Sequence, residues 1–170
     1  IGGDRDGNPV VTAQVTREVL KLQAETSIDF AIEVISELIL ELSVSSELTG
    51  EDEELRASLA EDLQHNSEVD EVQQELYHEE PYRLKLGAMR SKLNATRERI
   101  RTGEAHVHGR DYSDSAELQE DFRVLREALH RHGGERAADG TLAIAQQVLA
   151  ASGLNLATLD VREHSEKHHE

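Results

Sequence analysis

The residues of this chain that are best suited to chemistry are concentrated near its two ends, and residues 2–9 (GGDRDGNP) form the first group. Glycine and proline at this density exclude a helix or strand interior and predict a shaped loop. The guanidinium of Arg5 can bind a phosphate or carboxylate through paired hydrogen bonds. Asp4 and Asp6 can hold Arg5 in place or face a cation, and Asn8 lies beside them. A turn with solvated charges is the alternative, because Asp and Gly are common turn residues.

Residues 160–165 (DVREHS) form the second group, at the end of residues 154–161, the only convincing strand pattern in the chain. Because side chains alternate along a strand, Asp160 and Arg162 are predicted on the same face. The planar donor fork of Arg162 suits an anionic ligand. An ion pair of Arg162 with Asp160 or Glu163 is the alternative that needs no ligand.

Two pairs of histidines have spacings that metal sites also use. His106 and His108 are two residues apart in a predicted loop, and His164 and His168 are four apart in a predicted helix. Two ligands do not make a site, because zinc takes three or four protein ligands. We therefore predict a solvated loop around the first pair and no bound metal in this chain.

Composition limits the classes of partner. The chain has 35 acidic against 18 basic residues, a formal net charge of −17, and no cysteine. Nucleic acids and anionic membrane surfaces attract clustered Lys and Arg, so neither is an expected partner. An anionic substrate is still allowed, because salt screens the distant charge within about 10 Å. The absence of cysteine fits a cytoplasmic protein and excludes disulfides.

Hydrophobic periodicity and capping residues predict a mainly helical chain of about six helices. Thr12 is the expected N-cap of the first helix, Asp114 with Glu117 resembles a capping box, and Gly153 is expected to stop the last helix. The expected helices cover residues 12–42, 51–65, 69–76, 81–101, 114–132 and 141–151. The first helix is expected to bury a stripe that includes Val15, Val19 and Leu22, and the second helix one of Leu55, Leu59 and Leu63. Residues 102–113 are a predicted loop.

The helix that begins at Pro81 is the one basic element in an acidic chain. Its apolar face is expected to contain Tyr82, Leu86, Met89 and Leu93. Its Lys and Arg residues could form a phosphate site, but pairing with the acidic helices is the favoured interpretation.

Several of these segments resemble the phosphoenolpyruvate carboxylase family. The family pattern GGDRDGNPxVT matches residues 2–12, and its DxRQxS signature matches residues 160–165, with Glu163 where Gln is more common. The EPYR and LxxTR pieces match residues 80–83 and 93–97, and residues 156–160 (LATLD) fit the approach to a barrel strand. The resemblance spans nearly the whole chain, although family members are about five times longer.

The resemblance implies an enzyme that adds bicarbonate to phosphoenolpyruvate, giving oxaloacetate and phosphate, with Mg²⁺ or Mn²⁺. It implies that Arg162 binds the phosphate of phosphoenolpyruvate, and that Asp4, Arg5, Asp6, Asn8 and Asp160 lie at the active-site mouth. It also implies a cytoplasmic, allosteric homotetramer.

The resemblance also defines what this chain lacks. The family strings GTAHPTE, which carries an essential histidine, and HGRGGxxGRGG do not occur in the sequence. The chain begins at Ile1 rather than Met, which favours an internal piece of the enzyme. We therefore expect it to be inactive alone and to bind no metal. The alternative from another functional class is a free-standing acidic helical module that binds a partner protein.

The expected architecture is a helical fragment with one or two short strands left over from an elaborated (β/α)8-type barrel. Residues 1–11 would form the active-site loop, residues 12–153 the helical body, and residues 154–170 a barrel strand and the start of a helix. A strand without its barrel neighbours has an exposed edge, through which the chain could self-associate.

Overall fold

A computed structural model of the chain describes residues 12–42, 52–65 and 79–155, and all regular structure within these ranges is helical. The mainly α prediction is therefore confirmed for the described residues. The helices are α1 (Ala13–Glu41), α2 (Glu53–His65), α3 (Pro81–Thr102), α4 (Ser115–Arg131), α5 (Glu135–Asp139) and α6 (Thr141–Ser152). No helix in these ranges is long and apolar enough to cross a membrane.

The predicted helix starts are confirmed where a capping residue defines them. Thr12 precedes α1, and its Oγ1 accepts a hydrogen bond from the Val15 amide at 3.3 Å. Asp114 caps α4 by accepting from the amides of Ala116 and Glu117. Such caps satisfy backbone donors that the first helical turn leaves free, so they fix a helix start through local chemistry. The short helix α5 was not predicted.

The strand prediction is wrong at its first two residues, and the rest of it lies outside the described residues. Leu154 and Asn155 form a turn after α6. Gly153 takes a positive φ of 60° there, which ends the helix and redirects the chain. The loop at residues 1–11 and the helix at residues 69–76 also lie outside the described residues.

Helices α1 and α3 pack side by side in opposite directions. At one end, Lys21 Nζ donates to the carbonyl of Arg101 at 2.7 Å. At the other end, Arg83 Nε donates to the carbonyl of Ile39 at 2.9 Å. The aliphatic core lies between this pair and helices α4 to α6, and its fully enclosed side chains include Ile28, Ile35, Leu86, Met89, Leu93, Phe122 and Leu125.

Two predicted apolar stripes differ from the structure. Leu22, expected on the buried stripe of α1, is 63% exposed, and burial on α1 begins at Ala24. On α2, Leu63 was expected to follow Leu55 and Leu59 into the core. Asp62 is buried instead, while Leu63 is only half-buried.

The turn after α6 is fixed to two other helices. Ser27 Oγ, in the middle of α1, donates to the carbonyl of Gly153 at 2.6 Å. The Leu154 amide donates to Ser115 Oγ, at the start of α4, at 3.0 Å. The point at which the chain leaves the helical body toward residue 156 is therefore set by α1 and α4.

Asp52 joins the start of α2 to the end of α4. Its Oδ1 accepts from the Leu55 amide at 2.9 Å, as an N-cap does. Arg131 grips the same carboxylate with Nε at 2.8 Å and Nη2 at 3.1 Å. The pKa of Asp52 is lowered from 3.8 to about 2. The main cause is the pair of hydrogen bonds from Arg131, which outweighs the opposing effect of burial, and the contact with His132 adds to it.

This pKa predicts a specific acid sensitivity. The folded-state pKa lies below the unfolded value, so the carboxylate stabilises the fold fully above about pH 4 and loses this effect as the pH falls toward 2. Replacing Asp52 by Asn should lower the free energy of unfolding at neutral pH by about 1–2 kcal/mol, a figure reduced because Arg131 is half-exposed and screened by solvent. The free energy of unfolding of the variant should also fall less steeply between pH 4 and pH 2. Urea unfolding at a series of pH values measures both.

The control for this prediction is Asp29→Asn, which removes the partner of Arg97 from an exposed pair. That variant should keep the wild-type pH dependence, because exposed pairs contribute little. Parallel pH profiles for wild type and Asp52→Asn would contradict the assignment.

Candidate functional site

The most concentrated set of polar side chains in the described residues is a buried cluster around Lys85. Lys85 is fully enclosed in the protein. Its Nζ donates to Ser58 Oγ at 2.8 Å, Asp62 Oδ2 at 2.5 Å and Asp121 Oδ1 at 2.6 Å. An ammonium has three protons to donate, so all three donors of Lys85 are used.

A second lysine and a tyrosine complete the cluster. Lys92 Nζ lies 3.0 Å from Asp62 Oδ1 and 2.6 Å from Asp121 Oδ2. The Tyr112 hydroxyl donates to Asp121 Oδ2 at 2.7 Å, and Lys92 Nζ lies 4.6 Å from the centre of the Tyr112 ring. Two lysines and two aspartates balance one another, so the cluster buries no net charge.

The cluster shifts the pKa values of Asp121, Lys92 and Tyr112. Burial would raise the pKa of Asp121, but the ammonium groups of Lys85 and Lys92 outweigh it and keep the pKa below its usual value. Burial would likewise lower the pKa of Lys92, but Asp121 and Asp62 raise it overall. Burial, with Asp121 next in effect, raises the pKa of Tyr112 well above 10. Lys92 is therefore not a general base or a Schiff-base nucleophile, since both roles need a neutral amine.

The sequence places these charges in the core through helical register. On α3, Lys85 and Lys92 share a face with the buried residues Tyr82, Met89 and Thr96, at spacings of three and four. Asp62 on α2 and Asp121 on α4 stand in the same way among buried leucines. The basic composition of α3 favoured pairing with the acidic helices, and these ion pairs confirm that interpretation.

The individual cluster residues were missed by the sequence analysis. The signal that could have found them is opposite charge at core-facing positions of different helices. Burying an unpaired charge at such a position costs several kcal/mol of folding free energy, so each buried charge implies a partner of opposite charge.

The loop between α3 and α4 is held by Asp111, which is 4% exposed. Its carboxylate contacts Arg99 Nε at 2.5 Å and His106 Nδ1 at 2.9 Å, and it accepts from the Val107 amide at 2.9 Å. Burial would raise the pKa of Asp111, but these partners lower it overall. The next residue, Tyr112, belongs to the buried cluster. His106 and His108 are exposed, as the solvated-loop prediction requires.

A pocket of about 420 Å³ opens above the buried cluster. Its basic side chains are Lys92, Arg123 and His108. Its carboxylates outnumber them and are Glu54, Glu61, Asp62, Asp111, Glu117, Glu120 and Asp121. Lys92 and Arg123 are already paired with acids. The pocket therefore suits a cation and disfavours a phosphate-bearing substrate.

The residues that the sequence analysis placed at an active site lie outside the described residues. These are Arg162 and the mouth residues Asp4, Arg5, Asp6, Asn8 and Asp160. The structure thus neither joins nor separates them. The described residues form the helical body between the two end groups.

The buried cluster makes a quantitative stability prediction. Replacing Lys85 by Met leaves Asp62 and Asp121 with a single ammonium, which should cost about 3–5 kcal/mol of unfolding free energy. The control on the same helix is Arg97→Met, which breaks an exposed pair with Asp29 and should cost less than about 1 kcal/mol. Urea unfolding of the three proteins measures the difference.

A double variant tests the charge balance directly. Lys85→Met with Asp62→Asn leaves one lysine and one aspartate, so its loss should be smaller than the sum of the two single losses. Additive losses, or equal losses for Lys85→Met and Arg97→Met, would show that the ammonium does not act by neutralising these acids.

Comparison with known proteins identifies the family. The family model described as phosphoenolpyruvate carboxylase matches residues 1–170. Phosphoenolpyruvate carboxylases of Bradyrhizobium diazoefficiens and Rhodopseudomonas palustris are 36% and 35% identical to the chain, each over 99% of its length. The enzyme of Burkholderia mallei is 35% identical over the same share. The chain spans only 17–18% of the length of these relatives. Because the family model covers the entire chain, the chain belongs to the phosphoenolpyruvate carboxylase family.

Proposed function

We propose that this chain forms part of an enzyme that joins bicarbonate to phosphoenolpyruvate and releases oxaloacetate and phosphate. The observation that carries the proposal is the family match, which includes both end groups as well as the helical body. The relatives named for this activity are more than five times longer than the chain. The activity therefore belongs to the whole enzyme, to which this chain contributes particular residues.

Arg162 is the residue to which we assign substrate binding. Its guanidinium would bind the phosphate of phosphoenolpyruvate through paired, charge-assisted hydrogen bonds. Asp160 would lie beside it, and Asp4, Arg5 and Asp6 would form another part of the mouth, with Asn8. Positioned cationic groups of this kind stabilise the negative charge that accumulates during phosphoryl and carboxyl transfer.

The geometry of the helical body supports a shared mouth for the two end groups. Gly153 is bonded to Ser27, which lies 15 residues, or about 22 Å, along α1 from Thr12. Asp160 follows Gly153 by seven residues, and an extended chain of that length reaches about 25 Å. The segment that carries Asp160 and Arg162 is thus long enough to return to the end of α1 at which residues 1–11 join.

The acid-lined pocket of the helical body is a poor alternative site for the substrate, which supports the assignment of substrate binding to the end groups. A substrate with a phosphate and a carboxylate would meet seven carboxylates there, and the pocket's Lys92 and Arg123 already have acidic partners. We therefore assign binding of this substrate to the arginines of the end groups, Arg5 and Arg162.

The remaining chemistry would come from other parts of the enzyme. The family strings GTAHPTE and HGRGGxxGRGG are absent from this sequence. By the resemblance, Mg²⁺ or Mn²⁺ would also be held outside these 170 residues, where it supplies charge stabilisation. The whole enzyme is proposed to be an allosteric cytoplasmic homotetramer.

The assignment of Arg162 is tested in the whole enzyme. Arg162→Ala should lower kcat/KM for phosphoenolpyruvate by about 100-fold or more, because a group that stabilises the reacting anion is lost. Arg162→Lys keeps the charge but not the paired donors, so it should restore only part of the activity. Steady-state oxaloacetate formation measures both.

The matched control is Arg17→Ala, an exposed arginine of α1, which should keep wild-type kinetics. Wild-type kcat/KM for Arg162→Ala would remove Arg162 from the site.

The isolated chain is predicted to make no oxaloacetate from phosphoenolpyruvate and bicarbonate, with either Mg²⁺ or Mn²⁺ present. A coupled assay for oxaloacetate, with the whole enzyme as the positive control, measures this. Turnover by the isolated chain would contradict the view that essential groups lie elsewhere. If the whole enzyme were also inactive, the alternative of an acidic protein-binding module would be favoured.

A further inference from the structure

The loop between α3 and α4 brings three metal-binding side chains together at the protein surface. One ligand atom each from His106, His108 and Glu117 lie within 4.8 Å of one another. We infer that this cluster is a binding site for a divalent transition-metal ion, with Zn²⁺ as its representative, and this replaces the prediction of no bound metal, because Glu117 adds a third ligand to the two histidines. None of its three residues belongs to the end groups assigned to substrate binding.

The donor types select the class of ion. Two imidazole nitrogens and a carboxylate oxygen are ligands that Zn²⁺ and its neighbours in the first transition series accept. Mg²⁺ prefers oxygen ligands in an octahedral arrangement, which this set does not offer. The site therefore differs in kind from a magnesium site.

His106 is already oriented for metal binding. Its Nδ1 lies 2.9 Å from Asp111 Oδ1, which leaves Nε2 as the nitrogen available to an ion. Asp111 is itself held by Arg99 and by the Val107 amide. A carboxylate on the far nitrogen of a ligating histidine fixes the ring and increases its basicity, and it is the usual outer partner in zinc sites.

Glu117 is also partly fixed before any ion binds. Its Oε2 accepts from the Ser113 amide at 2.9 Å, which leaves the other oxygen for a ligand. In a tetrahedral zinc site with metal–ligand bonds of about 2.1 Å, the ligand atoms lie about 3.4 Å from one another. The three atoms must therefore approach by at most about 1.4 Å, a movement that side-chain rotation at the exposed His106 and His108 supplies.

A fourth donor is present on α2. Glu61 Oε1 lies 3.7 Å from His108 Nε2. The loop packs closely on α2 at Gly109: a Cβ added to this residue would lie 2.7 Å from His65 Cγ on α2. The φ of 77° at Gly109 also favours glycine. An ion bound by His108 and Glu61 would therefore link the loop to α2.

The surrounding charge favours a cation. The cluster borders the acid-lined pocket: His108 and Glu117 belong to both, and Glu61 also lines the pocket. The chain as a whole carries a formal charge of −17. A concentration of one sign of charge raises the local concentration of ions of the other sign.

The experiment is a Zn²⁺ titration of the 170-residue chain in competition with a chromophoric zinc indicator. We expect one site per chain that His106→Ala and His108→Ala each weaken at least about tenfold. Glu117→Gln should weaken binding similarly while keeping an acceptor for the Ser113 amide. Mg²⁺ in large excess should not compete. Co²⁺ in place of Zn²⁺ should give the visible absorption of a tetrahedral site, and the His106→Ala variant should lose it.

The chain contains a rival set of histidines, and the control is built on it. A variant with Ala at His164, His168 and His169 should keep the site, as should His130→Ala, which changes an exposed histidine of α4. Loss of binding in the triple variant, or equal affinity of wild type and His106→Ala, would overturn the proposal. Circular dichroism confirms that each variant retains its helices.

The link to α2 has its own readout. Zn²⁺ should raise the Tm of wild type, and the rise should be smaller in Glu61→Gln because the loop is then no longer joined to α2. An equal rise in both proteins would remove Glu61 from the site. These measurements use no carboxylase activity, so their outcome is independent of the proposed enzyme function.

Discussion

The ammonium of Lys85 imposes the constraint on which the rest of the helical body depends. A fully buried charge is tolerated only with complete hydrogen bonding and nearby opposite charge. Lys85 obtains both from Ser58 and Asp62 on α2 and from Asp121 on α4. These contacts fix the rotation of three helices about their axes, since a turn of either partner helix would leave at least one proton of the ammonium without its acceptor. Apolar packing alone tolerates small changes in register more readily.

The interior charges are used for structure, and this limits where the chemistry of the chain can be. Each buried lysine has two carboxylate partners, and the pocket above them is lined mainly by acids. Neither feature suits an anionic substrate. The helical body instead fixes the two positions from which the chain continues toward the end groups: Thr12 at the start of α1 and the turn at Gly153, which Ser27 holds against α1.

The sequence predicted the features that local chemistry determines. Thr12 and Asp114 bond amides within three residues, so their helix starts can be recognised without knowledge of the fold. Lys85 and Asp62 are 23 residues apart, and their pairing depends on how two helices meet. Composition identified α3 as basic but could not say which lysines are buried. The burial of Asp62 in place of Leu63 has the same origin: the buried partner of Asp62, Lys85, lies on another helix and cannot be read from the local pattern. Residue type alone singled out the end groups as candidates, but the proposed role in substrate binding came only from the resemblance to a family, since neither DRDG nor a lone arginine specifies a site.

The buried cluster and the inferred metal site are joined through two adjacent residues, Asp111 and Tyr112. Asp111 orients His106 at the surface, and the Tyr112 hydroxyl donates to Asp121 in the core. The amide of Tyr112 also donates to Thr96 Oγ1 on α3, and its carbonyl accepts from Arg99 Nη2. This segment is held at both its backbone and its side chains, so the position of His106 is set by the same contacts that order the core. An ion at the surface would then bind a loop that is already shaped, which reduces the entropy lost on binding. The same connection implies that damage to the core ion pairs weakens metal binding, whereas removal of the metal ligands leaves the core ion pairs intact.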